Sequence, residues 1–218
     1  MPGQIRLAEL LGSFALAGDL GQGQSLGHVL STTQVASRLA ERLNLPADQQ
    51  ADVFYTALLL HSGCTAGASD MAAFLLNDEL AAQAELCLFD PDNVVQIMKW
   101  MTQNIAPGWP LYLRVVRTLR SMAKGEEMIR EMFSGWSDVA SLTAARLSMP
   151  ATTQQSLYSI CETWNGKGPH RRRGPDIPLP ARIVSVAMTL EILRDCFLSG
   201  RVSSRDLPSE AAARPTDA

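Results

Sequence analysis

SLGHVLSTTQVASRLAERLNLPADQQADVFYTALLLHSGC, residues 25 to 64, decides the fold class. His28, Val35 and Leu39 recur at i, i+7 and i+11, which predicts a long helix from about 26 to 44 and turns His28 toward apolar neighbours. Ser25 stands where an N-cap is expected, and Pro46 opens the next helix. In that second helix Phe54, Leu58 and His61 fall at i, i+4 and i+7. A histidine therefore ends on an apolar face again, just before the breaker Gly63.

Outward from this pair the same period recurs. Residues 5 to 17 suit a short helix, and GDLGQGQS at 18 to 25 reads as a turn. Further helical patterns occupy about 69 to 80, 93 to 104, 110 to 123, 125 to 147, 151 to 164 and 181 to 198. DPDN at 90 to 93, APGWP at 106 to 110 and Pro150 separate them. NGKGPHRRRGPDIPLP, 165 to 180, is too dense in Gly and Pro for either period and predicts an irregular loop before the last helix. Ala and Leu are frequent and aromatic residues make up only 6%, so an all-α bundle over residues 1 to 200 is expected. Residues 201 to 218 hold Val202 and Leu207 as their large aliphatics and read as a disordered tail.

The chain has 218 residues, 46% of them hydrophobic, and a formal net charge of -3. Such a chain buries a sizeable core, and it lacks the basic field of a nucleic-acid binder, so direct DNA binding is not expected. Cys64, Cys87, Cys161 and Cys196 are scattered without CxxC spacing, which points to reduced thiols and a cytoplasmic protein. Arg6, Glu9 and Asp19 interrupt the apolar N-terminal stretch, against a signal peptide or membrane span.

Three blocks carry a family resemblance: LGHVLSTTQVASRLAERLNLP around His28, DVFYTALLLHSGC at 52 to 64, and ETWNGKGP followed by DIPLPARIVSVA at 162 to 187. In this order they resemble the HD-GYP branch of the HD-domain metal-dependent phosphohydrolases, and IPLPARIVSVA follows the third family block almost letter for letter. The resemblance implies an all-helical fold. It also implies hydrolysis of a cyclic di-GMP phosphodiester at a centre of two or three metals, which needs many His and carboxylate ligands.

Position by position, the implied ligand set is eroded. His28 matches the first histidine, but Gln24 replaces the glutamate four residues earlier. Leu60 stands at the histidine of the HD dyad, His61 at its aspartate and Cys64 at the following lysine. Sliding by one residue restores His61 as the histidine but sets Ser62 at the aspartate. Ile160 and Cys161 occupy the paired-histidine positions, Asn165 the aspartate of WDG, and Met188 that of VAD. His28 and His61 remain as candidate metal ligands, with Asp52 or Cys161 as the conceivable additions. The ordinary alternative is a pair of buried, hydrogen-bonded histidines.

The GYP loop has changed as well: Pro169 and His170 precede Arg171, Arg172 and Arg173, and Lys167 adds a fourth cation. These four are candidates for binding an anion or an acidic partner, against a plain solvated loop. The leading expectation is a degenerate HD-GYP-like domain, a non-catalytic regulatory or protein-interaction module in bacterial signalling, with a signalling protein or a cyclic dinucleotide as partner and no cofactor. The alternative is a divergent phosphodiesterase that uses Fe, Mn or Ni.

Overall fold

In the computed structural model, residues 6–22, 24–64 and 94–198 are described. All regular structure among them is helical: α1 (Leu7–Gly21), α2 (His28–Arg42), α3 (Ala47–Leu58), α4 (Val94–Asn104), α5 (Leu111–Arg146), α6 (Ala151–Tyr158) and α7 (Leu179–Leu198), with a short 3₁₀ turn at Gly174–Asp176 before α7. The all-α expectation holds. The helix expected at 69 to 80, the DPDN break and the tail at 201 to 218 lie outside the described residues.

Pro46, Pro110 and Pro150 stand at the N-caps of α3, α5 and α6. Each occupies a position where a backbone N–H would have no helical partner. Three boundaries differ from expectation. The helix expected at 5 to 17 runs on to Gly21, so the first four residues of the expected turn at 18 to 25 are helical. The helices expected at 110 to 123 and 125 to 147 are one continuous α5, because Gly125 costs about 1 kcal/mol inside a helix yet keeps its N–H, whereas proline would lose it. The helix expected to reach 164 ends at Tyr158, where the chain tightens into turns through Ile160 N–Leu157 O and Glu162 N–Ser159 O bonds of 3.2 and 3.1 Å.

α2 packs on α3 and α7, α3 also meets α6, and α5 lies along α6. α1 crosses α2 and α3. Small residues let these helices approach: Ala36, Ala40, Ala57, Ala181 and Ala187 are all buried in one apolar cluster with Val53, Ile177 and Val184. A second cluster joins Leu11 and Ala15 of α1 to Leu58, Leu59, Ala140, Ala144 and Leu157. Gly63 allows the chain after α3 to pass α5, since a Cβ there would run into the Trp136 carbonyl oxygen.

Candidate functional site

His28 is the first residue of α2 and is 2% exposed. His61 lies in the turn after α3, and the two imidazoles stack with centroids 5.9 Å apart and an interplanar angle of 7°. The two apolar stripes thus deliver the two histidines to one place.

Each ring faces its own carboxylate. His61 Nδ1 is 3.8 Å from Asp19 Oδ1, and His28 Nδ1 is 3.6 Å from Asp195 Oδ2. Asp19 is fully buried in the last turn of α1. Its Oδ2 accepts from Gly27 N at 2.9 Å and its Oδ1 from Val29 N at 3.2 Å. A carboxylate from the preceding helix therefore caps the electropositive start of α2. Ser25, expected as the N-cap, does not fill that role: Gly27 is the cap residue, and the Ser25 hydroxyl donates to Asp195 Oδ2 at 2.6 Å. Arg194 donates to Asp195 Oδ1 from Nε and Nη2 and reaches Glu191 with Nη1 at 2.6 Å.

The site's electrostatics follow from this burial. His28 is held below the ordinary imidazole value, first by desolvation and then by neighbouring His61, against the pull of Asp195 and Asp19. Burial pushes Asp195 upward, but the Ser25 hydroxyl, Arg194 and His28 together bring it below the usual carboxylate value. Glu191 is raised, by desolvation first.

Asp19 and Asp195 escaped the sequence reading. Asp195 stands seven residues after Met188, two turns along the same helix face, and Asp19 immediately precedes a Gly-rich turn and a helix start. Those were the available signals.

His28 Nδ1 and His61 Nδ1 are buried without a hydrogen-bond partner, and an orphaned imidazole nitrogen suits a transition metal. The surroundings do not. Among the described residues no three His, Cys, Asp or Glu side chains gather into a set that could hold a metal ion. Asp52 accepts from Thr153 Oγ1 at 2.6 Å and ties α3 to α6. Burial pushes the Cys161 thiol up to about 11, so it stays protonated near neutral pH. The described residues do not fit a two-metal centre.

Four positions where the resemblance implies ligands carry side chains of the apolar cluster, whereas Gln24 is half-buried and Asn165 exposed. Leu60 and Ile160 are each 6% exposed and lie in the apolar cluster of α2, α3 and α7. Cys161 and Met188 pack against the same cluster.

The cationic loop is folded rather than loose. Glu162 is buried, and its Oε1 accepts from His170 N at 2.6 Å. Gly168 passes so close to Glu162 that a Cβ there would collide with it. His170 stacks on Tyr158 at 3.8 Å, and the Arg172 guanidinium lies 5.5 Å from the same ring. The four cations therefore divide: Arg172 is drawn onto Tyr158, while Lys167, Arg171 and Arg173 are exposed.

No family model matches the chain. A curated relative, the 3'3'-cGAMP-specific phosphodiesterase 3 of Vibrio cholerae serotype O1, is 23% identical over 189 residues, 86% of this chain. A crystal structure of a cyclic GMP-AMP specific phosphodiesterase of V. cholerae has a TM-score of 0.60 and 22% identity over 92% of this chain. The chain spans only 41% of the first protein's length and 45% of the second. Homology and shared fold agree with the HD-GYP branch of the HD superfamily, the branch indicated by the three sequence blocks. The activity in the relatives' names speaks for the hydrolytic alternative more than for the regulatory reading. No helix among the described residues is long and apolar enough to cross a membrane.

Proposed function

We propose, for a chain of the HD-GYP branch, that residues 1 to 200 form a regulatory domain of cyclic-dinucleotide signalling in the bacterial cytoplasm, one that recognises a cyclic dinucleotide without hydrolysing it. The relatives' substrate supports the ligand class. The loss of hydrolysis rests on one observation: Leu60, Ile160, Cys161 and Met188 share an apolar cluster where the family places ligands. Leu and Ile have no donor atom, the Met thioether is a soft, uncharged and poor ligand for a hard cation, and a second metal is what stabilises the leaving oxygen in phosphodiester cleavage. His28 and His61 then serve as buried polar residues between two carboxylates.

The second reading is a divergent phosphodiesterase, which the names of both relatives favour. It would need Fe, Mn or Ni at His28 and His61. Incubation with 3'3'-cGAMP and each of these metals separates the two when calorimetry follows binding and chromatography follows products. Saturable binding with the dinucleotide recovered intact is expected. Metal-dependent appearance of linear product selects the second reading.

A further inference from the structure

Trp164 is 63% exposed, which is unusual for the largest apolar side chain, and it stands at the base of the cationic loop. Gly174 N donates to Trp164 O at 3.0 Å, pinning the two arms of the loop together. The Arg182 guanidinium lies 5.8 Å from the indole centroid and steadies the ring. Thr163 Oγ1 and Asn165 Oδ1 both accept from Lys167 N, at 3.0 and 3.1 Å, fixing the first arm. On the second arm, Arg173 runs alongside Gly166. Arg171 holds a φ of 58°. A left-handed arginine costs free energy that only a well-determined loop sustains.

The outcome is a closed loop that carries an exposed indole and three exposed cations, Lys167, Arg171 and Arg173. No ion pair among the described residues engages Arg171 or Arg173. The nearby acid Glu162 is buried and turned to the His170 backbone. We infer that this cluster is a nucleotide-binding surface, with a base stacked on Trp164 and phosphate oxygens held by Arg171, Arg173 and Lys167. Guanidinium groups match phosphate geometry, and base–aromatic stacking contributes about 1–3 kcal/mol per base. The surface rests on the proposed function only for the choice of cyclic dinucleotide as probe.

Calorimetric titration of the full chain with 3'3'-cGAMP, AMP and inorganic phosphate tests it. Trp164→Ala is expected to weaken 3'3'-cGAMP binding about tenfold, the equivalent of 1.4 kcal/mol, and Trp164→Phe to keep most of the affinity. Arg171→Ala with Arg173→Ala should weaken binding and flatten its salt dependence. Circular dichroism checks that each variant is folded. Full affinity for 3'3'-cGAMP in folded Trp164→Ala overturns the surface and leaves the proposed function standing. AMP binding that Trp164→Ala removes, with no 3'3'-cGAMP binding, keeps the surface and sinks the proposed ligand. Phosphate bound as tightly as either nucleotide, or no nucleotide bound at all, overturns the surface.

Discussion

Leu60 and His61 are adjacent in sequence, yet they face opposite environments. Leu60 joins Ile160, Cys161 and Met188 in an apolar cluster rich in alanine, while His61 stacks on His28 between Asp19 and Asp195. Both regions lie around the short stretch that ends α3. One sets apolar side chains at positions where the family resemblance implies ligands, and the other holds two imidazoles, each beside a separate carboxylate. The proposed loss of the metal centre would thus take two forms: packing over ligand positions, and capture of the remaining imidazoles in local structure. Asp19 illustrates the second, because the N–H groups that open α2 already claim both its oxygens.

The contrast breaks first at Leu60. Truncation to Leu60→Ala should cost about 2–5 kcal/mol in urea unfolding, as for a buried leucine in a close-packed core. A loss below about 1 kcal/mol would mean that the cluster is not tightly packed. On the polar side, Asp19→Ala leaves two N–H groups at the start of α2 without an acceptor and should cost about 1–3 kcal/mol. Asp195→Ala, partly exposed, should cost less than about 1 kcal/mol by the same measurement. Equal costs would make Asp19 an ordinary ion-pair residue rather than a helix cap.

Protonation sharpens the contrast further. The folded state holds His28 below 6.5, so it binds fewer protons than the unfolded chain. Stability from neutral His28 is complete above 6.5 and is lost as pH falls through that value toward the folded pKa. Wild-type melting temperature should therefore drop more steeply between pH 7 and 5 than that of His28→Asn. Parallel curves would remove the desolvated histidine from the account. Asp195, lowered from 3.8, acts only in a more acidic window. Smallest of all, Arg172→Ala should shift stability by no more than about 0.5 kcal/mol, because a partly exposed ring contact contributes little. A larger loss would assign the loop's fold to that arginine.

Much of the fold was legible because 3.6-residue periodicity records which face of each helix is buried. Prolines at 46, 110 and 150 marked the helix starts, and the stripes through His28 and His61 anticipated that both rings point inward. Periodicity reports a face but no partner from another helix. Nothing in the pattern tells that Leu60, Ile160 and Met188 meet in one cluster, or that Asp19 reaches across a turn to α2. The break expected between 123 and 125 is absent, because no proline there removes a backbone N–H from the helix. The arginine run concealed its division because Arg172 finds Tyr158 only once the loop has closed on Glu162.

Metal content tests the central claim most directly, because the proposed packing over ligand positions leaves no dinuclear centre. Protein expressed in medium supplemented with iron, manganese and nickel, then purified without chelator, should carry well below one transition-metal ion per chain by elemental analysis. His28→Ala and His61→Ala should leave that content unchanged. Two tightly bound ions per chain in wild-type protein, lost in both variants while circular dichroism still reports the native helices, would contradict the account.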